Sequence, residues 1–189
     1  MENNVLLGGL PETVVYEDEE YPIRSDYRTA IAFSELMQDR EATDTVKVLV
    51  ANDLYYPGAM PPDDWTAFNL IYDFYTGGSQ PYGVQSKGSE KELYSYTYDA
   101  PYIYAAFLAQ YGVDLHETNL HWWKFKAMFA GLNGDNEIVK IIGYRAMKIS
   151  SKFSKEQKAF YRKMKRQYAL PDRRTQEEKD ADFAEMLFR

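Results

Sequence analysis

The sequence predicts a mainly α-helical, single-domain bundle with a short N-terminal β-hairpin. Three observations carry this. Apolar residues recur at three- and four-residue spacing from residue 26 to residue 170. The periodic segments open on Ser, Thr, Asp or Pro, and most close on Gly or Pro. One early stretch alone pairs two β-prone runs about a polar turn. At 189 residues the chain fits one domain, read as a helical domain over 1–171 and a C-terminal tail over 172–189.

The elements follow in order. Thr13-Val14-Val15-Tyr16 and Tyr21-Pro22-Ile23 flank Glu17-Asp18-Glu19-Glu20, giving a hairpin over 13–24. Pro22 lacks a ladder donor and places its strand at an edge. Ser25 or Asp26 caps a first helix carrying Ala30, Phe33, Leu36 and Met37. A second helix runs from Thr43 to Tyr55 and breaks at Pro57-Gly58. Pro61-Pro62-Asp63-Asp64 opens a third, with carboxylates at its positive end. Trp65, Phe68, Ile71, Tyr72 and Tyr75 share one face of it, and Gly77-Gly78 ends it. Gly, Ser and Pro crowd residues 77–92 without a periodic apolar face, which predicts a mobile loop. Tyr94, Tyr96 and Tyr98 then alternate as a short strand or an extended lead-in.

Asp99 is placed to cap a fourth helix, with Pro101 in its first turn and Ile103, Ala106, Phe107 and Tyr111 as its stripe. Gln110 interrupts that face and Gly112 stops the helix. A fifth helix over Thr118–Leu132 is apolar almost all round, which predicts a central, buried position. After Asn133-Gly134, Asp135 caps a sixth helix bearing Ile138, Ile141, Ile142 and Ile149. Ser154-Lys155-Glu156-Gln157 has capping-box spacing and opens a seventh, closed by Leu170-Pro171. Thr175-Gln176-Glu177-Glu178 repeats that spacing before a short amphipathic helix with Phe183, Met186 and Leu187.

Composition narrows the function. There is no Cys, so disulfides, thiolate metal sites and cysteine nucleophiles are excluded. No apolar run approaches a membrane span, and Met1-Glu2-Asn3-Asn4 lacks the basic start of a secretory signal. The 17 Tyr fit either a helical core or a protein interface. Charge is segregated. Residues 1–139 hold 22 acidic against 8 basic residues, and residues 140–174 hold 2 against 12. The basic segment suits a polyanion or an acidic protein surface, including that of a second copy.

Catalytic signatures are missing. His116 and His121 stand five apart, where a helical zinc pair needs four. Asn133-Gly134-Asp135-Asn136-Glu137 lacks the further oxygen ligands of a calcium loop. Gly83 and Gly88 have phosphate-loop spacing, but Ser89 stands where Lys is required. The expectation is a binding protein, neither an enzyme nor the holder of a metal or cofactor. Lys155, Lys158, Arg162, Lys163 and Arg166 are its best partner-binding candidates, with Phe183 and Leu187 of the tail. Phe160, Met164 and Tyr168 recur at four-residue spacing and are expected to face the core, leaving the cations outside. Nucleic acid is disfavoured because the rest of the chain would repel it.

Five stretches carry a resemblance. They are Asp26-Tyr27-Arg28-Thr29-Ala30-Ile31, Tyr102 to Phe107, Tyr111 to Leu115, Leu120-His121-Trp122-Trp123-Lys124-Phe125 and Ile142-Gly143-Tyr144-Arg145. Together, and with Leu170-Pro171, they resemble the bacteriophage gene product 15 family of Gram-positive siphophages and prophages, over about residues 13–171. The resemblance implies a protein encoded just before the tape-measure gene. It implies a tail-assembly chaperone that coats the helical tape-measure protein until tube protein polymerises around it. Its partners would be the tape measure and the tail tube protein; self-association is the expectation of the charge segregation. Its place would be the host cytoplasm and not the mature virion. The resemblance carries no catalytic residue to any position here.

Overall fold

A computed structural model describes residues 8–77 and 92–172 of the chain. The described part is mainly helical, with one two-stranded antiparallel sheet. The predicted Gly/Ser loop lies, but for Gly77 and Glu92, outside the described residues, and so does the tail helix with Phe183 and Leu187.

β1 (Thr13–Tyr16) and β2 (Glu19–Pro22) pair with Thr13 opposite Pro22 and Tyr16 opposite Glu19. The two-residue connection Glu17-Asp18 has φ of 49° and 66°. Positive φ at both positions is the mark of the turn whose twist matches a hairpin. Val14 points into the core and Val15 away from it, as strand alternation requires. The hairpin is tied to the body beyond its own ladder. Arg24 N–H donates to the Tyr55 carbonyl at 2.8 Å, and the Arg24 guanidinium donates to the Asp53 and Leu54 carbonyls.

α1 (Tyr27–Gln38), α2 (Asp44–Tyr55) and α3 (Asp64–Thr76) follow. Each starts at a residue whose side chain accepts from the first turn: Asp26 from Arg28 N–H, Thr43 from Val46 N–H and Asp63 from Thr66 N–H. α3 ends at Gly77 with φ 90°, where the absence of Cβ removes the cost of the left-handed region. Phe33 of α1 meets Tyr55 of α2 and Phe68 and Tyr75 of α3, which joins the three helices by rings.

α4 (Ala100–Tyr111), α5 (Trp122–Ala130), α6 (Glu137–Ala146) and α7 (Lys155–Gln167) complete the described residues. α5 is central: Phe125 is fully buried and stacks on Tyr27 of α1 and on Phe107 of α4. Residues 92–99 are a turn-rich lead-in without a strand, which resolves the alternating tyrosines in favour of the second reading.

Several details differ from the sequence expectation; in the hairpin the turn takes only Glu17-Asp18, because Glu19 and Glu20 pair with Tyr16 and Val15 in β2, and Ile23 lies beyond the strand. α5 begins at Trp122, not Thr118, because residues 120–122 are held extended against α1. Tyr27 N–H donates to the Leu120 carbonyl and Trp122 N–H to the Ser25 carbonyl. Asp99 stands at the N-cap of α4 but makes no capping bond, since its carboxylate is drawn to Arg145. The N-cap of α6 is Asn136 rather than Asp135, and Ile149 lies beyond that helix. α7 buries none of its residues, and Phe160 is 48% exposed. It packs on α6 at the periphery, so its apolar stripe meets Tyr144 and not the core.

Candidate interaction surfaces

The polar groups that sequence reading singles out are mostly used to hold helix ends. His121 caps α5: its Nδ1 accepts from Trp123 N–H at 3.0 Å. Nε2 therefore carries the proton and donates to the Pro11 carbonyl at 2.9 Å. Burial holds this imidazole below its ordinary pKa, so the neutral form that the cap needs is favoured. His116 is exposed and lies against the Tyr104 ring, so the two histidines are engaged separately. Among the described residues no group of three or more His, Asp or Glu is placed to hold a metal ion.

Three further side chains of α5, Trp122, Trp123 and Lys126, close the end of α3. Trp123 Nε1 donates to the Phe74 carbonyl and Trp122 Nε1 to the Tyr75 carbonyl, both at 2.8 Å. Lys126 Nζ donates to the Thr76 carbonyl at 2.8 Å and to that of Tyr75 at 3.3 Å. A helix leaves its last carbonyls without partners, and a cation there also meets the negative end of the dipole. The run from His121 to Lys126 is thus an inter-helix brace. Gln110, which interrupts the α4 stripe, has the same kind of role. It donates to the Gly131 carbonyl and accepts from Asn133 N–H and Asn136 Nδ2, bracing the α5–α6 turn.

Two of the open surfaces stand out among the described residues. The first is the outer side of α2 and α3. Val46, Leu49 and Val50 are 46%, 49% and 46% exposed and lie at i, i+3 and i+4 of one helix. On α3, Trp65 and Tyr72 are equally exposed, with Phe68 packed between their rings. Sequence reading misses the α2 stripe, because α2 also buries Val48, Ala51 and Tyr55. The apolar residues of α2 fall on more than one face, and the helix is covered on one side only.

The second surface is α7. Lys155, Arg162, Lys163 and Arg166 are exposed and form no ion pair among the described residues. Lys158 is half-buried and donates to the Ser151 carbonyl at 2.8 Å. The predicted cations therefore share one peripheral helix. Lys165 differs: it donates to the Arg145 carbonyl and helps fasten α7 to α6. Arg145, counted with the basic segment from sequence, is itself buried.

The described residues form a mainly helical protein, and no described helix is long and apolar enough to cross a membrane. The chain belongs to the bacteriophage Gp15 family: the model described as "Bacteriophage Gp15 protein" matches residues 6–170. That span takes in the hairpin and all seven described helices. No curated protein and no solved structure matches the chain.

Proposed function

We propose that this phage protein is a tail-assembly chaperone that acts by binding, not catalysis, and keeps the tape-measure protein soluble while the tail tube polymerises. The observation that carries the reading is the apolar outer side of α2 and α3, with Val46, Leu49, Val50, Trp65 and Tyr72 open to solvent. Exposed apolar surface of this kind is a usual mark of a binding site. A tape measure is long and helical, and an apolar stripe on such a chain fits a helical face as a helix fits a groove. Repeated weak contacts along one long chain would add by avidity, and tube subunits could displace them one at a time. The protein would work in the host cytoplasm and be absent from the finished particle.

Co-expression with the tape-measure protein encoded beside it is the direct test. The tape measure should move from the insoluble to the soluble fraction with the wild-type chain. It should stay insoluble with L49K/V50K, a variant whose changes lie on the solvent side of α2. Equal rescue by both chains would remove α2 from the mechanism, and rescue by neither would remove the chaperone reading. Mass spectrometry of purified virions separates the runner-up, a structural tail component, because that would remain in the particle.

A further inference from the structure

The cations of α7 are an unanswered feature of the fold. α7 spans 13 residues, carries six Lys or Arg against Glu156 alone, and buries nothing. On helical geometry Lys155, Arg162 and Arg166 fall on one side, opposite Phe160 and Met164, which lean toward α6. The basic side thus faces away from the body. Its capping box and its junction with α6 position the helix without using that side.

The hairpin is its counterpart. Glu12, Glu17, Asp18, Glu19 and Glu20 are all exposed, and no basic residue precedes Arg24. Their internal contacts are neutral. Thr13 Oγ1 donates to Glu20 and Tyr21 Oη donates to Glu19. Beside them Val15, opposite Glu20, is 56% exposed, the largest exposure among the large apolar residues described. Five exposed carboxylates on and just before the hairpin thus complement in sign the four exposed cations of α7, Lys155, Arg162, Lys163 and Arg166, and neither set forms an ion pair among the described residues. Within one chain no ion pair joins the two among the described residues; the hairpin packs on α3 and α7 on α6.

We infer that α7 of one copy docks on the acidic hairpin of a second copy, so that the protein associates head to tail through two different surfaces. Such a contact is heterologous, and each copy keeps one free hairpin and one free α7 for the next. The copies carry a net charge of −7 and repel at long range, so local complementarity has to supply the attraction. Exposed ion pairs are individually weak, and the association is correspondingly reversible and salt-labile.

Sedimentation velocity on the full chain tests this. Mass should rise with protein concentration at low salt, and association should weaken about tenfold or more between about 0.05 and 0.5 M salt. K155E/R162E/R166E should be monomeric, and so should E12K/E17K/E20K, with helical circular dichroism and melting retained in both. One chain carrying both sets of reversals should associate again, because the charges are exchanged rather than lost. A monomeric wild type, or a doubly reversed chain that stays monomeric, overturns the proposal. Two controls name the rival occupants. Association that begins only after deletion of 173–189 assigns α7 to the chain's own C-terminus and overturns it. A DNA gel shift abolished by the α7 reversals, with no self-association, overturns it in favour of a polyanion.

Discussion

Arg145 and Asp99 face each other inside the protein, with Nη1 2.6 Å from Oδ2 and Nη2 2.9 Å from Oδ1. Their side chains are 7% and 2% exposed, so this is a forked, desolvated ion pair. Arg145 also donates to the Tyr168 and Leu93 carbonyls, and Asp99 accepts from Ser95 N–H. Removing one member strands the other charge in the interior. Asp99→Asn or Arg145→Met should cost about 3–5 kcal/mol in urea unfolding. If Met leaves the chain unfolded, Arg145→Lys, which keeps the charge and loses the fork, should still melt well below wild type. A loss under about 1 kcal/mol for both Asp99→Asn and Arg145→Lys would mean the pair is solvated in solution.

The brace between α5 and α3 gives a second prediction. Trp123→Phe keeps an aromatic ring stacked on Phe74 and deletes the donor to the Phe74 carbonyl. A buried acceptor without its donor costs about 1–3 kcal/mol, to be read from chemical denaturation. Amide exchange should also quicken in the last turn of α3. Exchange unchanged there would assign the cost to ring packing alone.

His121 predicts a pH dependence with a definite sign. Its folded pKa is lowered by burial, so between the folded and unfolded values the unfolded chain binds more protons. Its contribution is complete above the ordinary imidazole value of about 6.5 and is lost as pH falls below that through the folded value. Melting temperature against pH should therefore decline on the acid side of neutrality, and the part due to His121 should vanish in His121→Asn, which retains a capping oxygen. An identical slope in that variant would assign the decline to other groups.

The hairpin turn predicts a gain. Glu17 holds φ 49° without the compensation available to Asn or Gly. Replacing Glu17-Asp18 by Asn-Gly supplies the preferred residues for a two-residue turn with positive φ. The melting point should rise by the equivalent of about 1 kcal/mol. A fall would show that the carboxylates themselves stabilise the turn.

The local part of this fold is readable because its signals are local. Asp26, Thr43, Asp63 and Ser154 cap where their side chains and spacing indicate, and Gly77 and Gly112 close α3 and α4 in the left-handed region. Long-range partners are a different matter. Nothing near Asp99 announces that Arg145 will outcompete the helix end for its carboxylate. Nothing near Leu120 announces that α1 will hold it extended. The candidate surfaces divide the same way. Charge segregation marks α7 in the sequence, whereas the α2 stripe emerges only once one side of that helix is seen to be uncovered.

The guanidinium of Arg145 has a consequence for how the protein responds to load. It holds the carbonyl just past α7, at Tyr168, and the carbonyl of Leu93 ahead of α4, while Lys165 grips Arg145's own carbonyl. A pull on α7 would load these bonds before the helix could come away. Through that one planar group the end of α7 is tied to the stretch before α4, so a strain on the exposed helix would reach the interior.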